Sequence, residues 1–404
     1  MLSKTVHTYK NAYSGLSRQT WLLSLIMLIN RSGTMVVPFM SLYLINALGF
    51  SIGQAGIVYG LFGAGAICGA FIGGKLTDTI GFYPVQLITL TGGGILFIVL
   101  GQMTSYPLIC MFTFLLSFVN EAFRPANSTA IAFYSKEENR TRSYALNRLA
   151  INLGWAIGSL VGGVLAKYNY HLLFWVDGLT NISAAFIMFF FLKPAGYQPR
   201  RNKHEQKPVT QSAYRDKIYL WFILLIMMFA SCFFQLFTNL SVYFNKVLHI
   251  SEPVIGVLMA LNGVLIVFIE MIIVYKLEGR RSNLTYILIG VSLVAVSFIM
   301  LGLPWLGIIT AVVMIITATI GEILSMPFMN SFWIGRSNAA NRGQYAALYT
   351  IAWSGAQSLG PMTAAQIAEK FGFTYLWWGV SGLLLIVLLG FWKLKQHLEG
   401  LKNL

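Results

Sequence analysis

Five ionisable side chains stand in stretches that are otherwise almost wholly apolar: Arg31, Glu121, Arg124, Glu270 and Glu322. Burying such a group in lipid costs about 2.5–3.5 kcal/mol on insertion scales, so each is expected to be paired, to face water or to do chemistry. Carboxyls removed from water are suited to taking up and releasing protons. Glu322, in Gly321-Glu322-Ile323-Leu324-Ser325-Met326-Pro327, is the first choice for that role, Glu270 the second, and Glu121 a third. Glu121 and Arg124 are three residues apart, share a helix face and are expected to pair. Pro125 follows and is expected to bend that helix. Arg31 cannot shed its charge. It needs a carboxylate, water or an anionic group on a bound molecule, and Glu121, Glu270 and Glu322 all remain open as partners. With Arg31 and Arg124, the polar Asn127, Asn152, Gln235, Asn239 and Gln357 and the aromatic Trp353 are candidates to line a cavity. Asp177, close to the end of an apolar run, reads as structural.

These residues need elements to hold them. Of the 404 residues, 57% are hydrophobic and 10% charged, against about 25% charged in soluble domains. Lipid must therefore solvate most of the chain. A bilayer crossing takes about 20 apolar residues as a helix. Twelve such runs are read, over 21–47, 53–76, 84–102, 108–133, 144–166, 172–192, 218–244, 253–275, 284–302, 306–334, 344–368 and 373–392. Continuous apolar stretches such as 219–230 exclude a membrane β-barrel, whose short strands alternate. The expected fold is an all-α membrane protein of twelve transmembrane helices.

The net charge of +15 would suggest nucleic acid in a soluble protein, but its distribution points elsewhere. Both termini and alternate loops together hold 23 of the 28 Lys and Arg, whereas the other loops hold Lys167, Lys246 and Lys370. The positive-inside rule then places both termini in the cytoplasm, in a bacterial inner membrane, with an even number of spans. Residues 193–217, with Pro194, Gly196, Pro199 and Pro208 among seven basic residues, read as a cytoplasmic linker. It separates expected six-helix bundles over 1–192 and 218–404. No signal peptide is expected, because the charged N-terminal stretch leads into a run too long for a signal core. Cys68, Cys110 and Cys232 fall in separate spans, and the five histidines fall in loops, tails or helix ends. Neither set has the spacing of a metal site, and no cofactor is called for.

The two halves resemble each other at a shift of 202 residues. Pro125 falls on Pro327, Arg140 on Arg342, Ala145-Leu146 on Ala347-Leu348, Gly158 on Gly360, and Trp175 on Trp377. Weak internal symmetry of this kind is typical of transporters built from repeats.

Two motifs sharpen this. Between runs two and three stands Gly74-Lys75-Leu76-Thr77-Asp78-Thr79-Ile80-Gly81, which is similar to the G-x-L-x-D-x-x-G loop of the major facilitator superfamily. Thr79, Phe82 and Tyr83 stand where the family often has basic residues. Run five holds Gly154, Gly158, Gly162 and Gly163, spaced so that helix backbones can touch. It resembles the G-x-x-x-G-P-x-x-G-G element of the drug:proton antiporter branch, with Ser159 in place of the proline. The resemblance implies two six-helix bundles around a central cavity lined by spans one, four, seven and ten. It also implies alternating access by rocking, with Gly74, Asp78 and Gly81 as a latch on the cytoplasmic face.

The expected function is a proton-coupled secondary active transporter that exports lipophilic or cationic small molecules. The alternative is proton-coupled transport of a specific anionic or zwitterionic metabolite such as a peptide, organic acid or siderophore, which Arg31 and Arg124 could grip. Expected partners are a small-molecule substrate, protons and membrane lipid, with no nucleic acid. A monomer is expected, since each half can bury its interface against the other. No HExxH or GxSxG motif occurs, and an enzyme is not expected.

Overall fold

The structure is a computed structural model that describes residues 15–136, 139–192, 212–277, 279–303, 307–337 and 341–402. Most of the predicted linker, residues 193–211, lies outside them. The described residues are helical and form twelve spans. Nine are continuous: span two is Ile52–Ile80, three Phe82–Leu100, four Tyr106–Tyr134, five Arg140–Tyr168, six His171–Phe191, nine Asn283–Leu301, ten Ile308–Arg336, eleven Arg342–Phe371 and twelve Phe373–Lys402. Eleven of the twelve spans are apolar and long enough to be recognised as bilayer crossings by composition. Span eleven is the exception, because Gln344, Gln357 and Gln366 and its Ser, Thr and Gly residues lower its hydropathy.

The other three spans are interrupted, which the continuous apolar runs do not show. Span one, Arg18–Ala47, is α-helical over Arg18–Ser32, breaks at Gly33–Met35, resumes over Val36–Leu42 and ends in a π turn, Tyr43–Ala47. Span seven begins as Lys217–Phe233, tightens to a 3₁₀ turn over Phe234–Phe237 and resumes over Asn239–Lys246. Span eight, Glu252–Leu265 and Met271–Leu277, carries a π turn at Ile266–Glu270.

Packing divides the chain into two compact units: residues 1–36 with 65–201, and residues 37–64 with 202–404. The second part of span one and the first part of span two therefore cluster with the C-terminal helices rather than with the rest of the N-terminal half. The sequence provides for this with glycines on one face of span two. A Cβ at Gly56 would meet the Ala365 side chain at 2.3 Å, and one at Gly63 would lie 2.4 Å from the Ser358 Cα. Span two thus runs backbone to backbone along span eleven, which suits van der Waals association in lipid. Ser358 Oγ donates to the Gly60 carbonyl at 2.7 Å and Gln366 Nε2 to the Gly53 carbonyl at 3.0 Å. The Glu369 carboxylate accepts from Ser51 Oγ and from the Gly53 amide, satisfying a donor that the first turn of span two would leave free.

The internal repeat is physical. Gly158 abuts the Ser32 carbonyl of span one, and Gly360 abuts the Ser231 backbone of span seven. Pro125 and Pro327 each lie inside a helix, spans four and ten. After span one, Leu48 and Phe50 donate to the carbonyls of Tyr43 and Leu44; after span seven, Leu248 and Ile250 donate to those of Tyr243 and Phe244. Both turns pass through a left-handed residue, Gly49 in one and His249 in the other. The match of Trp175 with Trp377 fails by one residue: Trp175 is 44% exposed and Trp377 fully buried. The buried faces instead pair Phe174 with Trp377, Asp177 with Val380 and Asn181 with Leu384. A one-residue slip rotates a helix by about 100°, enough to turn a side chain from one surface to the other.

The helix starts repeat as well. Ser17 caps span one by accepting from the Thr20 amide at 3.1 Å, and its hydroxyl donates to the Tyr134 carbonyl at 2.9 Å. Asp216 caps span seven by accepting from the Tyr219 amide at 3.1 Å. Arg336 reaches it with Nη2 at 2.8 Å from Oδ2, and the Tyr345 hydroxyl donates to the same oxygen at 2.8 Å. Burial alone would push the Asp216 carboxyl up, but the bonds from Arg336, Tyr345 and the Tyr219 amide outweigh it and hold it below the usual carboxylate range.

Candidate functional site

In the first unit, span four presents the predicted pair: Arg124 Nη1 lies 3.1 Å from Glu121 Oε2. The Arg124 side chain is 65% exposed while Glu121 is 15% exposed, so the pair is anchored at its acidic end and open at its basic end. Arg31 lies two residues before the break in span one, and its Cβ fills the space over Gly154 of span five. Among the described residues, the buried Nε of Arg31 has no hydrogen-bond acceptor. Of the three carboxylates left open as its partner, Glu121 shares its unit, whereas Glu270 and Glu322 belong to the second. Asn127 is buried within a chain of amides, accepting from Gln86 of span three at 3.2 Å and donating to Asn147 of span five at 3.3 Å. Asn152 is half-buried on span five, and Gly162 is buried there.

Asp177, read from sequence as structural, is fully buried on span six. Its carboxylate meets the break in span one. Oδ1 accepts from the Met35 amide at 2.9 Å, and Oδ2 accepts from Met35 at 3.0 Å and from Val36 at 2.8 Å. The break leaves those amides without helical acceptors, and an ionised carboxylate with amide donors is a strong substitute. Gly33 permits the approach: a Cβ there would collide with Thr180 Oγ1 and lie 3.3 Å from the Asp177 Cα.

In the second unit, Asn262 of span eight donates to Glu322 Oε2 of span ten at 3.1 Å and to Thr319 Oγ1 at 3.0 Å. Span ten is set against span nine by a glycine contact, where a Cβ on Gly290 would lie 2.5 Å from the Gly321 carbonyl. That contact places Glu322, the next residue, beside span eight. Glu270 closes the π turn of span eight and is buried. Such turns occur often at functional positions, because the extra residue redirects a side chain. Gln235 and Asn239 are buried at the break in span seven: Asn239 Nδ2 donates to Gln235 Oε1 at 2.7 Å and to the Pro361 carbonyl at 3.3 Å. Trp353 packs against Phe233, Phe234 and Tyr349 with ring centres 6.0, 5.9 and 6.2 Å apart, and Tyr349 continues to Trp333 at 5.9 Å. Gln357 is half-buried one turn beyond Trp353.

The motif at 74–81 is not a loop. Residues up to Ile80 continue span two, and Gly81, with φ +90°, makes the turn into span three. Asp78 is exposed in the last helical turn, where the helix dipole disfavours a carboxylate and favours a cation beside it. Among the described residues, no group of three or more His, Cys, Asp or Glu is placed to hold a metal ion. Sequence reasoning did not find the role of Asp177 or of Glu369. The glycine spacing of Gly53, Gly56, Gly60 and Gly63 is the signal that could have located the seam along span eleven.

Twelve spans in two repeats, with polar and charged groups facing helix breaks, define a membrane transporter. The sequence profile of the Major Facilitator Superfamily matches residues 20–361, and the chain belongs to that family; it is an integral membrane transporter and not an enzyme. It is 24% identical over 398 residues to an uncharacterized MFS-type transporter, YqjV, of Bacillus subtilis, covering 95% of this chain and 96% of that protein. It is 22% identical to the class D tetracycline resistance protein of Salmonella ordonez, covering 78% and 80%. Among solved structures, a peptide transporter POT in complex with sulfate superposes with a TM-score of 0.80 at 18% identity, covering 95% and 96%; at that identity the likeness is one of fold.

Proposed function

We infer that this transporter is a proton-coupled exporter of lipophilic or cationic small molecules, working by alternating access with both termini in the cytoplasm. The observation that carries this reading is the make-up of the second unit. It combines a half-buried Glu322 held by the Asn262 amide and a buried Glu270 with the aromatic series Phe233, Phe234, Trp353, Tyr349 and Trp333. Aromatic faces attract organic cations, and carboxyls removed from water are suited to taking up and releasing protons. The relative that is a tetracycline resistance protein supports the same direction. In this reading Gly74, Asp78 and Gly81 serve as the latch of the cytoplasmic face, with the exposed Asp78 available to a cation. The protein works as a monomer in lipid.

Inverted membrane vesicles loaded with a fluorescent lipophilic cation test this. Uptake is expected to follow an imposed proton gradient and to be lost in Glu322→Gln. Uptake that ignores the gradient overturns the reading. A second reading, transport of an anionic metabolite, is favoured by one observation: Arg31 has a buried Nε with no acceptor among the described residues. Binding of a labelled carboxylate, lost in Arg31→Gln, would select it, and a panel of such compounds that neither binds nor moves would remove it.

A further inference from the structure

We propose that Asp177 is a second proton-binding site, separate from Glu322, and that proton uptake there loosens the Met35 amide at the break in span one. The argument begins with the two oxygens. Oδ2 accepts from both Met35 and Val36, while Oδ1 accepts from Met35 alone. A proton arriving from water therefore goes to Oδ1, the oxygen with fewer donors, and forms a single O–H bond there. Oδ1 then carries a hydrogen that faces the Met35 N–H. That amide loses the nearer of its two acceptors and keeps only Oδ2 at 3.0 Å, which it shares with Val36.

The carboxylate is held by neutral donors. Its backbone carbonyl accepts from Asn181 Nδ2 at 2.7 Å and from Thr180 Oγ1 at 3.0 Å, and Asn30 Nδ2 of span one donates to Asn181 Oδ1 at 2.7 Å. These side chains make a polar string from the break along spans one and six, while the buried residues around it are apolar. The charged or titratable side chains on the neighbouring stretches are Arg31 and Tyr43 of span one, Lys167 and Tyr168 of span five, and His171 of span six. Span three contributes none between Gly92 and Gly101. Among the described residues none of these bonds to or pairs with Asp177, and His171 Nδ1 is engaged with the Gly101 carbonyl at 2.7 Å. No fixed cation therefore holds Asp177 in its ionised form.

The internal repeat supplies a control. At the matching place in the second unit, Cys232, just before the break in span seven, reaches the Val380 carbonyl at 3.8 Å. Val380 stands where Asp177 stands, and Leu384 where Asn181 stands. A break in this fold is thus built without a carboxylate, and the acid in the first unit is an addition to the architecture. The role of Asp177 in transport rests on the proton-coupled reading above. Its response to protons does not.

The test is amide hydrogen exchange of the full chain in lipid nanodiscs, without substrate, across a pH series and corrected for intrinsic rate. Residues 33–36 are expected to exchange about tenfold faster once Asp177 is protonated, with Met35 affected more than Val36, the size expected when one charge-assisted hydrogen bond is lost. Residues 234–237 are expected to stay flat. In Asp177→Asn, whose single side-chain oxygen imitates the protonated acid, fast exchange is expected at every pH. A flat profile at 33–36 in the wild type, an equal step in both repeats, or a wild-type step retained in Asp177→Asn each overturns the proposal. Because no substrate is present, failure of the export reading leaves this outcome unaffected.

Discussion

At the starts and breaks of spans one and seven, the two repeats use a carboxylate in opposite places. In the first unit the base of span one is tied by neutral groups, Ser17 with the Tyr134 carbonyl, and the break is tied by the buried carboxylate of Asp177. In the second unit the base of span seven is tied by the Asp216–Arg336 ion pair, and the break packs against Val380 with Gln235 and Asn239 as its polar groups. At these matched places, one helical scaffold therefore carries its carboxylate at the break in the first unit and at the helix start in the second. The architecture of a repeat fixes where a helix must be interrupted or capped, but leaves open whether a charge or a neutral bond does it.

Removing acceptors tests that contrast most severely. Asp177→Ala leaves two buried amides unsatisfied and is expected to cost about 3 kcal/mol. Val380→Ala at the matching position is expected to cost about 1–2 kcal/mol from lost packing. Thermal unfolding in detergent measures both, and equal losses would mean that the carboxylate contributes no more than bulk. At the bases, Asp216→Ala is expected to cost about 2–3 kcal/mol because it strands the half-buried Arg336, against about 1 kcal/mol for Ser17→Ala as a lost cap.

The pH dependence of the bases should differ in the same sense. The folded-state value of Asp216 is lowered, so its stabilisation is complete above the unfolded value near ~3.9 and is lost as pH falls through the folded value. An acid titration of stability should lose that component in Asp216→Asn and be unaltered in Ser17→Ala. Where the repeats agree, substitutions should agree: Gly158→Ala and Gly360→Ala each press on backbone that cannot yield, and each is expected to cost about 1–3 kcal/mol. The smallest effect on stability is expected from Glu322→Gln, within about 0.5 kcal/mol, since glutamine keeps an oxygen for Asn262. Proteoliposome flux should nonetheless lose its link to protons. A large fall in melting temperature would recast Glu322 as a structural group.

Much of this was legible from residue types. The apolar runs give twelve helices, the glycine and proline positions give the repeat, and the pairing of Glu121 with Arg124 follows from their spacing. The breaks in spans one and seven were not legible, because hydropathy averages over about twenty residues and a break of three changes it little. Asp177 reads as structural, and the structure gives it the amides of Met35 and Val36 to hold; which donors another helix brings to it was not legible, because a position near a span end says nothing about them. The Trp175–Trp377 pairing shows the limit of aligning a repeat by residue type, since only burial reveals which face each ring occupies. Asn127, Gln235 and Asn239 look like cavity-lining residues as polar letters in apolar text, yet in the structure they bond within their own units.

The glycine face of span two has one more consequence. Gly56, Gly60 and Gly63 let that helix lie on span eleven at atomic contact, and a gap of about 0.5–1 Å already forfeits about a quarter to a half of such attraction. Such a seam loses grip steeply as it parts. It resembles a magnetic strip, whose hold is strongest when closed along its whole length. A single bulky residue at Gly60 would act as a pebble in a door, holding the strip ajar without touching any group that binds cargo.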